Sequence, residues 1–257
     1  MKLKVDINCD LGESYGAFRV GNDAKIMPCI TSTNIACGFH AGDPVTISRT
    51  VMLAKQSDVA VGCHPALPDI MGFGRREMQL SDEEARTYVV YQIGALAAFA
   101  EIAKTKLQHV KPHGALYNMA AQDLRLAKSI IKAVKDFDEE LIVFARPRSK
   151  LAEAAENTGV RVAFEVFADR AYNSDGSLLS RSKKGAIIND PEVVVERAVG
   201  MVKDRSVLAV DGKEVDFGDV HTICVHGDTL GAVNLAFSLK KGLTEAGITV
   251  EPAGKFL

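Results

Sequence analysis

The sequence lacks the features that mark secreted, membrane-spanning and nucleic-acid-binding proteins. Its cysteines are few and odd in number, five without a C-x-x-C pair, so neither a disulfide framework nor a structural zinc site is expected. No apolar run approaches the roughly 18 residues of a membrane span. The first residues show no signal-peptide core, and the net charge of −2 includes no basic stripe. We therefore expect a cytoplasmic protein that binds neither nucleic acid nor membrane.

Three common catalytic or nucleotide-binding motifs are also absent. The chain has no G-x-x-x-x-G-K-[ST] loop and no G-x-G-x-x-G turn, so the two familiar phosphate cradles are missing. It has no G-x-S-x-G turn either, which argues against a serine hydrolase. Any enzyme activity must therefore depend on other groups.

Strand-like apolar segments alternate with longer segments of helical period. The predicted strands are residues 3–9, 33–37, 59–63, 109–111, 141–145, 160–166 and 221–225. The predicted helices are residues 23–29, 44–55, 82–104, 124–137, 150–157, 191–203 and 230–246. Strict alternation implies parallel strands covered by helices. Seven such units in 257 residues favour one α/β domain, a seven-stranded parallel (β/α) barrel over residues 1–257, with an open doubly wound sheet as the alternative.

Local signals support these boundaries and identify two interruptions. Ser81 followed by Glu84 predicts a capping box, and Asp43 and Asp190 each precede a proline at a predicted helix start. Residues 168–188 are too long and polar for a plain connection and predict a functional loop. Residues 207–217 predict a β-hairpin.

Ionisable side chains collect where the predicted strands end. In a barrel of parallel strands these ends meet at one face, which is where such enzymes bind their substrates. Four of the six histidines lie there, whereas His109 and His221 lie at strand starts and are expected to be structural. Because the side chain of histidine titrates at about pH 6.5, it can act as an acid, as a base or, when neutral, as a metal ligand near physiological pH. The candidate catalytic residues are Asp10, His40, His64, Lys111, His113 and His226.

A second group of strand-end residues is suited to substrate binding. These candidates are Asn8, Glu13, Arg75, Arg76, Asp169 and Asp228. Asp43 is better explained as a helix cap, and Asp228 fits a cap or a site equally well. Arg75 and Arg76 are either surface charges or the ends of a loop that presents guanidinium groups to a carboxylate or phosphate. The cysteines near the strand ends fit barrel packing better than a thiol nucleophile.

Five segments bear a family resemblance. They read DINCDLGES at 6–14, NIACGFHAGDP at 34–44, GCHP at 62–65, VKPHGALY at 110–117 and EVFADRAY at 165–172. In this order they resemble the LamB/YcsF family of 5-oxoprolinase A subunits. The resemblance implies a TIM-like barrel of the glycoside hydrolase/deacetylase type. It also implies a cyclic amide hydrolase that uses ATP to convert 5-oxo-L-proline (pyroglutamate) into L-glutamate together with partner subunits B and C.

The implied reaction can be matched to the candidate residues. A lactam is a stabilised amide, and transfer of a phosphoryl group from ATP to its oxygen would make the carbonyl carbon more electrophilic. Water then needs a base, for which Asp10 or a histidine is suitable. Lys111 is suited to the developing oxyanion, and His113 or His226 to the departing nitrogen. Asp10→Asn and Lys111→Met are each expected to abolish glutamate formation.

Two other functions stay open from the sequence. Carbohydrate deacetylases of the same superfamily bind a divalent metal through an aspartate after strand one and later histidines, and Asp10, His64 and His113 occupy similar places. A metal-dependent deacetylase would act without ATP and lose activity to chelators. A non-catalytic scaffold or substrate-binding subunit would tolerate mutation of the strand-end histidines. The density of ionisable residues favours catalysis.

Overall fold

The strands form a closed parallel barrel. The computed structural model describes residues 2–227 and 231–257. Its strands are β1 (Lys4–Leu11), β2 (Ser32–Ala36), β3 (Ala60–His64), β4 (Leu107–Val110), β5 (Ile142–Ala145), β6 (Val162–Phe167), β7 (Ser206–Leu208), β8 (Glu214–Asp216), β9 (Thr222–His226) and β10 (Thr249–Val250). Strands β1 to β6 pair in sequence order, and β9 pairs with both β6 and β1. This closure confirms the predicted seven-stranded barrel and rules out the doubly wound sheet.

Helices surround the barrel in the described part of the chain. They are α1 (Asp23–Ile26), α2 (Pro44–Gln56), α3 (Asp82–Ile102), α4 (Gly114–Ala120), α5 (Leu124–Phe137), α6 (Lys150–Thr158), α7 (Pro191–Lys203) and α8 (Ala232–Glu245), with 3-10 turns at Met27–Cys29 and Ala253–Lys255. All seven predicted helices are present. The short α4 and β10 were not predicted. The predicted hairpin is the antiparallel pair β7–β8. No helix among the described residues is long and apolar enough to span a membrane.

The helix starts use the caps that the sequence predicts. Ser81 and Glu84 form a reciprocal capping box at the start of α3. The Asp43 carboxylate accepts hydrogen bonds from the backbone N–H groups of Val45 and Thr46 at the start of α2. These bonds, that of Thr46 foremost, lower the pKa of Asp43 to about 2. The structural explanation of Asp43 is therefore confirmed.

Polar side chains fill the barrel interior. In β1, the apolar residues Ile7 and Leu11 are buried toward the helices, while Asp6, Asn8 and Asp10 alternate with them and bond to side chains of neighbouring strands. Asp6 lies deepest and accepts hydrogen bonds from the hydroxyl groups of Thr31, Ser32 and Thr222. Successive polar layers therefore lead up the barrel axis to the carboxyl ends of the strands.

Of the two histidines predicted at strand starts, His109 lies inside β4 and His221 directly precedes β9. His109 is fully buried, contacts Asn34 at 2.6 Å through Nε2 and stacks on Phe144. Gly62 makes room for this ring, because a Cβ at position 62 would fall 2.0 Å from His109 Nε2. His221 accepts a hydrogen bond from the backbone N–H of Phe164. Both side chains are thus held by structural contacts.

Residues 168–188 fold over the carboxyl end of the barrel as an extended loop. Arg170 holds this loop together by donating to the backbone carbonyl groups of Ala186 and Leu179, at 3.2 and 2.7 Å. Isolated bridges join Arg170 with Ile187 and Tyr172 with Leu178. The loop therefore has a defined shape and brings its residues 177–181 to the cavity described below.

Candidate active site at the mouth of the barrel

A cavity of about 460 Å³ lies at the carboxyl ends of the strands. Seven of the twelve site residues expected from the sequence line it: Asp10, Glu13, His64, Arg75, Lys111, His113 and His226. They come from β1, β3, β9 and the segments that follow β1, β3 and β4. Residues separated by more than two hundred positions in the sequence therefore meet in one pocket.

Other expected residues occupy different places. Asn8, His40, Arg76 and Asp169 do not belong to the lining that the described residues form. Asn8 is fully buried below the cavity, where its amide donates to Glu165 and Thr222. His40 is buried behind His113, and Asp169 contacts His226. Asp228 lies outside the described residues.

Lys111 is the centre of a buried ionic network. Its ammonium group lies 3.0 Å from Asp10 Oδ1 and 2.8 Å from Glu165 Oε1. Asn8 Oδ1 and Cys224 Sγ are also within bonding distance, at 3.1 and 3.0 Å. An ammonium group has three protons to donate, so these four acceptors already saturate it. The expected oxyanion contact from Lys111 would require it to release one of them, and its present geometry serves to orient Asp10 and Glu165.

The network fixes the charges of Asp10 and Lys111. Burial alone would raise the pKa of Asp10, but His64 and Lys111 outweigh it and hold the pKa well below its usual range. Burial likewise opposes the charge of Lys111, yet Asp10, Cys224 and Glu165 raise its pKa well above the ordinary value. Both groups are therefore ionised at neutral pH, and each depends on the other for its charge.

The protonation pattern of His64 and His113 follows from two backbone carbonyl groups. His64 Nδ1 lies 2.7 Å from the carbonyl oxygen of Lys111, and His113 Nε2 lies 2.9 Å from that of Phe73. Because a carbonyl oxygen only accepts, each of these nitrogens carries a proton and donates it. The remaining nitrogens, His64 Nε2 and His113 Nδ1, face each other at 2.9 Å. Two neutral rings would place two lone pairs in contact there, so the position suits a shared proton or a cation.

A group of possible metal ligands surrounds that position. Glu13, His40, His64 and His113 each offer one ligand atom, and these atoms lie within 4.8 Å of one another. Burial, with contributions from the neighbouring histidines, holds the pKa of His40 and His113 well below the usual range, so both rings are neutral, as metal ligation requires. His40 Nδ1 is buried without a hydrogen-bond partner among the described residues.

The donor set differs from the predicted trio of Asp10, His64 and His113. Asp10 Oδ2 lies 3.4 Å from His64 Nε2, but Asp10 belongs to a second group with Cys224 and His226. Metal-bound histidines commonly donate their other N–H to a backbone carbonyl, as His64 and His113 do here. The side chains therefore fit a divalent ion, with Glu13 and His40 added to the two predicted histidines.

His226 and Asp169 form a separate dyad. His226 Nδ1 lies 2.7 Å from Asp169 Oδ2. Burial raises the pKa of Asp169, but His226 together with Arg170 and Arg181 lowers it below its usual value, so the carboxylate is ionised. His226 therefore donates through Nδ1, which leaves the Nε2 lone pair free to accept a proton. Asp169 thus contacts His226 and is not part of the cavity lining that the described residues form, where the expected contact with substrate would take place.

The two adjacent arginines have different environments. Arg75 lines the cavity, and its guanidinium lies 5.1 Å from the centre of the Phe73 ring. Arg76 instead donates to Asp69 through Nε at 2.9 Å and through a second nitrogen. Since Asp69 occupies the Arg76 guanidinium, the geometry gives no support to the expected substrate contact by Arg76.

Several residues at the site had no assigned role in the sequence prediction. Glu165, in β6, contacts Lys111, Asn8 and the hydroxyl of Tyr117, which donates to it at 2.7 Å. A glutamate within an apolar strand is the signal that could have identified it. Arg146 follows β5 and lines the cavity. Its position at a strand end was visible in the sequence, but nothing there indicated a ligand.

Comparison with known proteins agrees with this architecture. A protein of Pyrococcus abyssi that is named as the A subunit of 5-oxoprolinase is 52% identical over 255 residues, which cover 99% of this chain and all of the relative. A lactam utilization protein from Thermus thermophilus superposes with a TM-score of 0.92 at 47% identity, covering 97% of this chain and 99% of that one. A family 4 carbohydrate esterase from Streptomyces lividans, 9% identical, shares the fold with a TM-score of 0.51, covering 96% and 91% of the two chains.

The agreement extends over almost the entire length. The LamB/YcsF family matches residues 5–257, a range that includes every residue of the cavity lining. This extent of similarity is far greater than a shared barrel alone would give. The chain belongs to the LamB/YcsF family.

Proposed function

We propose that this chain is the A subunit of an ATP-dependent 5-oxoprolinase and that it hydrolyses the lactam of 5-oxo-L-proline to L-glutamate. The observation that carries the proposal is the 52% identity, end to end, with a relative named for that role. The cavity supports the proposal independently, because the ionised Asp10 and Lys111 and the neutral His113 line one small pocket, as the acids, bases and charged groups of an active site do.

The dyad supplies the proton transfers. His226, oriented by Asp169 at 2.7 Å, accepts a proton from water at Nε2 while the water oxygen attacks the lactam carbonyl carbon. When the carbon–nitrogen bond breaks, the same nitrogen of His226 returns that proton to the departing amine, as the histidine of a hydrolase triad does. One residue thus acts as base and then as acid.

The network below the cavity provides electrostatic stabilisation. Asp10 is held ionised and in place by Lys111, and one of its carboxylate oxygens lies within 4.8 Å of a ring nitrogen of His226. A fixed carboxylate stabilises positive charge that develops on a neighbouring imidazole during proton transfer. We therefore assign Asp10 to the catalytic centre and Lys111 to its positioning and charge balance.

The cluster of Glu13, His40, His64 and His113 is the proposed position of a divalent metal ion. When bound, such an ion would act as a Lewis acid that stabilises negative charge developing on the reacting lactam. Elemental analysis of the purified chain should find about one divalent ion per molecule, and His113→Ala should lower that content by at least tenfold. A control, His221→Ala, should retain the ion. Equal metal content in the two variants, or none in the wild-type chain, would exclude this assignment.

ATP and the partner subunits B and C complete the proposal. ATP would activate the lactam within the complex by phosphorylating its carbonyl oxygen, with release of ADP. Water then adds to the activated carbon, the carbon–nitrogen bond breaks to leave an acyl phosphate, and a second water hydrolyses that acyl phosphate to L-glutamate and inorganic phosphate. The test is reconstitution of the three subunits with 5-oxo-L-proline and ATP, omitting each one in turn. Glutamate should form only with this chain present. ATP-independent release of acetate from N-acetyl sugars by this chain alone would support a carbohydrate deacetylase instead. If the partner subunits alone formed glutamate at the full rate, this chain would have a non-catalytic role.

A further inference from the structure

Arg146 is a buried cation without a complete set of partners. It follows β5 directly, lines the cavity and is only 8% exposed. Its Nε is buried and has no hydrogen-bond partner among the described residues. A guanidinium always carries its charge in proteins, and leaving a buried charged donor unpaired is costly. An anionic ligand from the cavity would satisfy it.

The other largely buried arginines are an internal control. Arg170 donates through Nε to Ala186 and through a second nitrogen to Leu179. Arg197 donates in the same way to the carbonyl groups of Ala168 and Arg170, at 3.1 and 2.8 Å. Both therefore connect backbone segments, with Nε occupied in each case. Within the described part of the chain, Arg146 makes no such bond through Nε, which separates it from the structural arginines.

The surroundings of Arg146 place it close to the proposed reaction centre. Arg146 and Tyr117 line the same cavity, and the charge of Arg146 partly opposes the rise that burial causes in the pKa of Tyr117. Tyr117 donates to Glu165, and Glu165 contacts Lys111. Arg181, on the loop of residues 168–188, lines the same cavity and is exposed. A ligand held at Arg146 would thus extend toward the catalytic groups.

We propose that Arg146, assisted by Arg181, binds the carboxylate of the lactam substrate. This inference rests on the proposed function. The planar guanidinium can bind both oxygens of a carboxylate at once. The carboxylate is the anionic group that 5-oxo-L-proline carries, and its two oxygens match two N–H donors on one edge of a single guanidinium. The subsite would select lactams that carry a carboxylate over those without one.

The test compares two ligands of nearly equal size in the assembled three-subunit complex. Calorimetry without ATP measures the affinity of 5-oxo-L-proline and of 5-oxo-L-prolinamide, in which the carboxylate is a neutral amide. In the wild-type complex the acid should bind about 10- to 100-fold more tightly. Arg146→Gln should reduce this preference to about one. Arg148→Gln should keep it, because Arg148 is exposed and paired with Asp216.

The outcomes separate the possible roles of Arg146. If Arg146→Gln keeps the preference for the acid, or weakens only binding of a non-hydrolysable ATP analogue, the carboxylate subsite is refuted. If Arg146 were purely structural, the variant would weaken both lactams equally and lower the melting temperature. Removal of an unpaired buried charge should leave that temperature unchanged or raise it.

A second measurement is independent of the lactam reaction. Acetate and inorganic phosphate are titrated into the full chain, and the NMR signal of the Arg146 Nε–H group is followed, with Arg146→Lys to assign it. The proposal predicts a saturable shift with acetate, whereas a signal that ignores acetate overturns it. If acetate shifts the signal while the wild-type complex neither binds nor hydrolyses 5-oxo-L-proline, the anion subsite stands and the proposed function fails.

Discussion

The hydrogen-bond partners of each histidine determine which chemistry it can perform. His64 and His113 donate to backbone carbonyl groups and present their free nitrogens to each other at 2.9 Å. His226 donates to Asp169 and keeps Nε2 available. His64 and His113 are therefore arranged to bind a cation, whereas His226 is arranged to accept a proton.

Asp169→Asn tests the dyad. An amide at this position can donate to His226 Nδ1 and so favour the wrong tautomer, in which Nε2 is already protonated. We expect the turnover number of the reconstituted enzyme to fall about 100-fold or more, while the melting temperature changes little. Asp190→Asn, a helix-cap variant, is the control. A turnover number equal to that of the control would remove His226 from the mechanism.

Asp6 should give the free energy of unfolding a distinct pH dependence. Burial raises the pKa of Asp6 from 3.8 to about 6, against the opposing hydrogen bonds of Thr222, Thr31 and Ser32. The folded state thus favours the protonated carboxyl. Its contribution to stability is complete below about pH 4 and is lost as the pH rises through 6. The loss amounts to about 3 kcal/mol, from roughly two pKa units.

Urea denaturation of Asp6→Asn and wild type at pH 4 and pH 7 measures this effect. The wild-type advantage over Asp6→Asn should shrink between pH 4 and pH 7. Asp136→Asn is the control: Arg86 and Lys132 lower the pKa of Asp136, so its contribution is lost only as the pH falls below about 4 and should change little between pH 4 and pH 7. A wild-type advantage that grows with pH at Asp6 would contradict the assignment.

The sequence predicted the polar cluster more completely than the role of each member. Asp10, His64, His113 and His226 follow strand ends, and the symmetry of a parallel barrel brings strand ends together. The tautomers of these histidines depend on backbone carbonyl groups, such as that of Phe73 for His113. The proposed ligand-binding role of Arg146 depends on an Nε that has no hydrogen-bond partner among the described residues. Such pairings are set by side-chain packing across the barrel and leave no pattern in the sequence.

Among the connecting elements, the segment between β3 and α3 brings the backbone closest to the site. Gly74 has a φ of +65°, and a Cβ there would lie 2.7 Å from His40 Cβ and 2.9 Å from His113 Cδ2. The carbonyl of Phe73, the preceding residue, fixes the tautomer of His113. Glycine at position 74 therefore lets the segment hold the histidine cluster.

Gly74→Ala should displace this segment while leaving the barrel intact. Strain and the short contacts should cost about 1–3 kcal/mol of stability, and glutamate formation should fall at least tenfold. Gly94→Ala in α3 is the matched control. Beyond the backbone of α3 itself, no atom of the described residues lies within 4 Å of a Cβ there, so the stability should rise by up to about 1 kcal/mol. Both variants are compared by denaturation and turnover, and equal behaviour would refute the role of Gly74.

The elements were predicted as far as local chemistry specifies them. The capping box at Ser81 and the caps Asp43 and Asp190 are encoded within a few residues and were found where expected. The seven residues of α4 begin at a glycine, and the two residues of β10 pair only with the start of β1. Neither produces a periodic pattern long enough to detect, since their conformation depends on tertiary contacts.

For the molecule as a whole, closure of the barrel is what assembles the site. Strand β9 joins β6 to β1 and sets His226 opposite Asp10 in register. The polar interior below, from Asp6 to Lys111, would be costly unless each group were paired. An apolar core would be easier to stabilise than this buried ionic network. The presence of the network therefore supports a catalytic role for the carboxyl end of the barrel.

The most direct test of this account is the rate of glutamate formation by the reconstituted three-subunit complex carrying Asp10→Asn. The amide preserves the size of the side chain but removes the charge that Lys111 and His64 stabilise. We predict a rate at least 100-fold below that of the Asp136→Asn control, with normal assembly of the complex. An assembled Asp10→Asn complex that forms glutamate as fast as the control would show that the chemistry takes place elsewhere.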